Sequence, residues 1–289
     1  MATRRAKRIE IPCKTESITI VGILEQLKPD IPSQGRGIAL ILHGTMGHKD
    51  YLYQRQLAER LPIDSFRFDF RGNNESTGQW KQGDIIGNVK DIEHVVDYLQ
   101  NTFGYVPQLL IGHSLGSLAS FYWICHTDIG QRLPAFVNVS GRYRMHKVYE
   151  SNSAKAWQKG FDEQGYHDAT VSVARRPVTF RIYADDLRQY ASWDASFVWS
   201  QFPPTTDVLS IHGLCDNTVP TADALIYAKA LGARTQGTHS LHLIEGADHN
   251  FIGYHEALID SILDWWDLRE QQGLKSGIWL PNFYQGTKL

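Results

Sequence analysis

The stretch Leu109-Leu110-Ile111-Gly112-His113-Ser114-Leu115-Gly116 decides how the rest of the chain is read. Three apolar residues form a short run of the kind that suits a strand buried on both faces. Leu115, Leu118 and Tyr122 follow at helical spacing. Between them stands G-x-S-x-G, whose glycines let the backbone turn sharply and lift the Ser114 hydroxyl above the end of a sheet. The N-terminus of the following helix favours negative charge that develops there.

Similar apolar runs recur at Ile38–Leu42, Phe66–Phe70, Phe136–Val139, Val208–Ile211 and Leu241–Ile244. Helical spacing holds Val89, Ile92, Val96 and Leu99 together, and Leu258, Ile262 and Trp265 near the C-terminus. Strands alternating with helices predict an α/β protein with a mostly parallel sheet. Ile9 to Leu24 read as two extended segments, with Ile18, Ile20 and Leu24 toward one face. From Ser140 to Asp207 no clean buried strand is expected. Arg175-Arg176-Pro177 and Pro203-Pro204 read there as breakers, so residues 142–206 are expected to be a helical insertion. That segment holds 12 of the chain's 33 aromatic residues, more than its share.

A serine hydroxyl needs a base within hydrogen-bond reach. His249, in Gly246-Ala247-Asp248-His249 beyond the Leu241–Ile244 run, holds the expected position. The base needs a carboxylate to fix its tautomer. Asp216 lies just past Val208–Ile211, at the same sheet edge as Ser114. Asp207 begins that strand and so sits at the wrong end, and Asp248 is too close in sequence to turn back onto the ring. The loop after Phe136–Val139 offers no carboxylate before Glu150. The order Ser114, Asp216, His249 fits this layout. Two backbone amides should stabilise an oxyanion: that of Leu115, and that of Thr45 in His43-Gly44-Thr45-Met46-Gly47, with Gly44 its neighbour.

The 289 residues carry 29 Lys plus Arg against 31 Asp plus Glu. This balance argues against a nucleic-acid partner. Three scattered cysteines make no disulfide framework, and neither C-x-x-C nor H-E-x-x-H occurs, so no metal site is expected. No apolar run reaches the roughly 20 residues of a membrane span, and no apolar segment follows the basic Met1–Arg8 as a secretory signal would require. A reduced, cytoplasmic, soluble protein is expected. Thr287-Lys288-Leu289 resembles a relaxed peroxisomal address but reads more simply as a chance terminus. The apolar tail with Ile278, Trp279, Leu280, Phe283 and Tyr284 fits packing on the body or a homodimer interface. The loop at His43–Gly47 lacks G-x-G-x-x-G, which argues against dinucleotide binding.

Together, His43-Gly44, the run Asp69-Phe70-Arg71-Gly72-Asn73-Asn74-Glu75-Ser76-Thr77-Gly78, Gly112–Gly116, His212-Gly213 with Asp216, and Asp248-His249 resemble the α/β-hydrolase superfamily. The second of these looks like its D-x-R-G-x-G-x-S-x-G turn, with Asn74 where a glycine is usual; Asn tolerates positive φ. Within the superfamily the chain is most similar to the serine-aminopeptidase-like and cinnamoyl- or feruloyl-esterase-like group, which carries a cap after the sixth strand. The resemblance implies a catalytic body at 1–141 and 207–289, a cap at 142–206, and no cofactor. It also implies hydrolysis of a small-molecule ester with a modest-sized acyl group. Peptidase, thioesterase, lipase and carbon–carbon hydrolase chemistry use the same triad and stay open, as does a non-catalytic binding protein on this body. Trp157, Phe161, Tyr183, Trp193, Phe197 and Trp199 are candidates for the pocket, though packing onto the body is the simpler expectation. Arg142 lies near the site and could attract an anion, but is expected to be solvated. With nine Lys/Arg and seven Asp/Glu, the insertion signals no strong charge preference.

Overall fold

The computed structural model describes residues 4–13 and 15–281. Nine strands form one sheet in the order β1-β2-β4-β3-β5-β6-β9-β10-β11. The strands are β1 (Arg5–Cys13), β2 (Ile18–Gln26), β3 (Gly37–Leu42), β4 (Asp64–Phe68), β5 (Val106–His113), β6 (Ala135–Val139), β9 (Asp207–Gly213), β10 (His239–Ile244) and β11 (Gly277–Ile278). β1 pairs antiparallel with β2 and β2 antiparallel with β4; the remaining pairings are parallel. All six apolar runs singled out in the sequence fall in strands of this sheet, with Phe66–Phe70 running two residues past the end of β4.

The central strands bury both faces because their side chains alternate between two cores. In β3, Ile38, Leu40 and Leu42 enter one cluster and Ala39 and Ile41 the other. The first core is completed by α2 (Ile85–Phe103), α3 (Leu115–His126) and Tyr227 and Leu231 of α6 (Ala222–Gly232). The second core is completed by α1 (Gln54–Arg60) and α7 (His255–Glu270), which contributes Leu258, Ile262 and Trp265. The sheet is thus a middle layer between two layers of helices.

Residues 142–206 leave the sheet after β6 and return at β9. They are mixed rather than purely helical: α4 (Asn152–Gln164), an antiparallel hairpin of β7 (Tyr166–Val173) and β8 (Arg176–Tyr183), then α5 (Ala184–Ala191). The supposed breaker is the hairpin itself. Ala174 and Arg175 form its two-residue turn with φ of 48° and 66°, without the Asn-Gly or Asp-Gly that usually marks such a turn. Pro177 is tolerated because each strand of a two-stranded sheet has a free edge. Phe180 and Ile182 are buried, and the Phe180 ring lies 4.7 Å from that of Trp80 on the body.

At the C-terminus, β11 pairs parallel with β10 and the Trp279 amide donates to the Leu241 carbonyl at 2.8 Å. Ile278 and Leu280 are exposed. Phe283, Tyr284 and Thr287-Lys288-Leu289 lie outside the described residues. Among the described residues, no helix is long and apolar enough to cross a membrane.

Candidate active site

β5 delivers Ser114 into a turn of unusual backbone geometry, with φ 53° and ψ −114°. Such a conformation in a non-glycine residue costs about 1–3 kcal/mol and must be held by its surroundings. The Ser114 amide donates to the Val139 carbonyl of β6 at 2.8 Å, and the Ser117 hydroxyl closes the turn on the Gly112 carbonyl at 2.6 Å. A Cβ on Gly112 would lie 2.7 Å from backbone atoms of Gly116 and Ser117; one on Gly116 would lie 2.7 Å from the His43 carbonyl oxygen. The two motif glycines therefore answer to close backbone approach on either side of the serine.

The loops after β9 and β10 bring the other two expected residues to Ser114. His249 Nε2 stands 3.0 Å from Ser114 Oγ, and His249 Nδ1 stands 2.8 Å from Asp216 Oδ2. The Asp216 side chain is fully buried, whereas His249 retains 14% exposure toward the cavity. Asp216 Oδ1 accepts the amides of Thr218 and Val219, each at 2.8 Å. Burial alone would raise the pKa of this carboxyl, but the hydrogen bonds from His212 and His249 outweigh it and hold it well below the usual carboxylate range. The rejected carboxylates are engaged elsewhere: Asp248 accepts the Asn250 and Ile252 amides, and Asp207 pairs with Arg269.

The loop after β3 approaches Ser114 closely, since a Cβ on Gly44 would lie 3.1 Å from Ser114 Cβ. The Gly44 carbonyl receives the His43 Nδ1–H at 2.8 Å and the Gly47 amide at 3.1 Å. Across a trans peptide the Thr45 N–H must point the opposite way from that carbonyl, and among the described residues no acceptor engages it. His43 Nε2 in turn accepts the Phe70 amide at 3.0 Å, which fixes one neutral tautomer. Burial lowers the His43 pKa to about 4. Lys49 ties the same loop to the turn after β4, with its amide at 2.6 Å from Asp69 Oδ1 and its ammonium at 2.7 Å from Oδ2. Asn74 takes a φ of 45°, the positive value expected where the motif has glycine.

Three histidines beyond His249 shape the site, and the sequence assigned roles to none of them. His43 and His212 stood in quoted motifs; His113 is the variable residue before the serine. His113 Nε2 donates to the His249 carbonyl at 3.0 Å, so it holds the backbone of the base. Burial and the neighbouring His249 lower its pKa to about 3, which keeps the ring neutral beside the candidate base.

A cavity of about 340 Å³ opens onto Ser114 and His249. Thr45 and Met46 line it from the body, and Val148, Trp157, Val171 and Tyr190 from the inserted segment. Of the six aromatic candidates, Trp157 alone lines this cavity. Phe161, Trp193 and Phe197 pack against the first core, and Tyr183 and Trp199 are exposed. Arg142 departs from expectation: it lines the cavity but is only 3% exposed. Its guanidinium is drawn inward by the Thr218 carbonyl, and its own carbonyl accepts the Tyr227 hydroxyl at 2.8 Å.

The family described as alpha/beta hydrolase fold matches residues 40–171. The uncharacterized Saccharomyces cerevisiae protein YDL057W is 29% identical over 243 residues, covering 75% of this chain and 69% of that one. Among solved structures, Est1E from Butyrivibrio proteoclasticus with ferulic acid bound superposes with a TM-score of 0.71 at 18% identity, covering 91% of this chain and 99% of that one. The Pyrococcus furiosus esterase Pf2001 does so with a TM-score of 0.64 at 13% identity, covering 92% and 93%. The sheet order, the strained serine turn between β5 and α3 and these matches agree: the chain has the α/β-hydrolase fold.

Proposed function

We propose that the protein is a serine hydrolase that cleaves a carboxylic ester of small or medium acyl size through an acyl-enzyme. The observation that carries this reading is the chain of contacts from Ser114 Oγ to His249 Nε2 at 3.0 Å and from His249 Nδ1 to Asp216 at 2.8 Å. Ser114 attacks the ester carbonyl as His249 takes its proton, and Asp216 holds the imidazole in the tautomer that leaves Nε2 free to accept. The amides of Thr45 and Leu115 receive the oxyanion; one such donor is typically worth about 2.7–4 kcal/mol in the transition state. His249 then protonates the leaving alkoxide and later activates the water that releases the acyl group. Residues 142–206 act as a cap over a body formed by 1–141 and 207–289, and the cavity between them receives the substrate. Likeness to an esterase and to a protein that binds ferulic acid supports the ester over other bonds.

Two measurements test this. A fluorophosphonate should label the wild type at Ser114 and leave Ser114→Ala unlabelled, with turnover of aryl esters down by roughly 10⁴-fold or more. Parallel assays on aryl esters, acyl thioesters and aminoacyl anilides should favour the esters. Retained turnover in Ser114→Ala would end the serine mechanism, and a preference for thioesters or anilides would move the bond type.

A further inference from the structure

Arg142 follows β6 through a constrained turn. Ser140 takes a φ of 50°, its amide bonds to the Ile211 carbonyl at 3.0 Å, and the Gly141 amide bonds to Asn138 Oδ1 at 3.1 Å. The side chain that emerges is buried, with Nη2 donating to the Thr218 carbonyl and the Tyr190 hydroxyl facing the guanidinium. Nη1 is buried with no hydrogen-bond partner. A buried guanidinium is normally paired with an anion, because removing a charge from water costs several kcal/mol unless it is compensated.

The neighbouring loops supply no such anion. Asp216 serves His249 and His212. Asp223 pairs with Arg144 and accepts the Tyr143 amide. Among the described residues no carboxylate forms an ion pair with Arg142, and no Asp, Glu or Lys lines the cavity. Arg142 is thus the single fixed charge facing a chamber that also exposes Ser114 and His249. The other lining residues are apolar or neutral polar groups, among them the amides of Gln82 and Asn250 and the imidazoles of His113 and His249, and none of them is a carboxylate.

We propose that the Arg142 guanidinium binds a carboxylate of the substrate, so that the cavity selects esters carrying a carboxylate on either the acyl or the alcohol side. The proposal rests on the ester-hydrolase reading for its chemistry but not for its binding step. A planar guanidinium presents parallel N–H groups to a carboxylate, and the Thr218 carbonyl holds it in place before the ligand arrives. The Thr218 contact also links Arg142 to the loop of Asp216, so loss of the arginine could slow the enzyme through Asp216 alone. The test must therefore read selectivity rather than rate.

Two matched ester pairs provide it: 4-nitrophenyl hydrogen glutarate against 4-nitrophenyl 4-carbamoylbutanoate, and 4-carboxyphenyl butanoate against 4-carbamoylphenyl butanoate. The wild type should favour the anionic member of at least one pair by tenfold or more in kcat/KM. In Arg142→Gln that ratio should fall by about 10- to 150-fold, the range for a hydrogen bond to a charged group; Arg142→Lys, which keeps the charge, should retain part of it. A ratio unchanged by Arg142→Gln, whatever the absolute rates, overturns the proposal, as does a wild type without preference in either pair.

Calorimetry separates this outcome from failure of the hydrolase reading. Ser114→Ala should bind 3-phenylpropanoate more tightly than 3-phenylpropanamide, and adding Arg142→Gln should abolish the difference. If binding behaves so while the wild type cleaves no ester, the arginine site stands and the ester chemistry falls. Equal binding of acid and amide overturns the site itself.

Discussion

His212 Nε2 lies 3.2 Å from Asp216 Oδ2, the same oxygen that receives the Nδ1–H of His249 at 2.8 Å. The His212 N–H also faces the Val219 carbonyl at 2.9 Å. A second ring therefore holds the carboxylate in the orientation that serves His249. Removing it in His212→Ala leaves Asp216 its two amide donors and His249, so the loss should fall at the low end of what a charged hydrogen bond is worth. A drop in kcat of about tenfold is expected, with KM within twofold. Steady-state kinetics on an aryl ester check it, and an unchanged kcat would show that His212 only fills space.

The tautomer of His43 is fixed by two backbone groups, the Gly44 carbonyl and the Phe70 amide. Its ring also packs edge-on against Phe70 with centroids 4.9 Å apart. His43→Phe should keep the ring packing but release the Gly44–Thr45 peptide, one of the two proposed oxyanion donors. Because Gly47 still holds the Gly44 carbonyl, the loss should be partial, roughly 10- to 100-fold in kcat, with KM little changed. If KM rises while kcat holds, the His43 ring shapes the cavity rather than the donor.

Packing at the serine turn sets a stability prediction. The Cβ of Gly116→Ala would press on the carbonyl oxygens of His43 and Leu42, at 2.7 and 2.9 Å. Both belong to backbone at the end of β3, which is buried and has little room to yield. Overpacking of this kind typically costs about 1–3 kcal/mol, and urea unfolding should show that loss. Since the displaced segment also carries Thr45, ester turnover should fall further than stability alone explains. A variant as stable and active as wild type would show that β3 yields at this point.

The six buried strands and the positions of Ser114, Asp216 and His249 were legible because each rests on a local signal. Continuous apolar runs mark strands covered on both faces, and the candidate site residues follow directly at strand ends. The β7–β8 hairpin left no such mark. Its strands are mostly exposed, and its turn uses Ala174 and Arg175 at positive φ rather than glycine or asparagine. Arg142 was misread for a different reason. Its burial depends on Thr218, Tyr190 and Tyr227, residues distant in sequence that only the fold brings around it. The roles of His43, His113 and His212 were hidden likewise, since their partners are mostly backbone atoms of other loops.

Buried histidines give the fold a dependence on pH. Burial lowers the His239 pKa from 6.5 to about 3, helped by Arg234, and lowers those of His113 to about 3 and His43 to about 4. In the unfolded chain such rings take up protons below about pH 6.5, while the folded chain keeps them neutral. The unfolded state then binds more protons, so stability is full above pH 6.5 and falls as the pH drops toward the folded values, by about 1.4 kcal/mol per pH unit for each ring. Asp216, whose pKa is depressed in the folded chain, adds a loss with the same sign only below about pH 4. Urea unfolding at intervals between pH 7 and 5 should therefore show a steadily falling free energy. His239 lies away from Ser114, in β10, with Nε2 at 2.9 Å from Ser210 Oγ, so it can be changed without touching the candidate site. His239→Gln should lower stability at pH 7 yet flatten the slope between pH 6 and 5 by about one proton. A slope that the substitution leaves unchanged would mean that His239 titrates alike in the folded and unfolded chains.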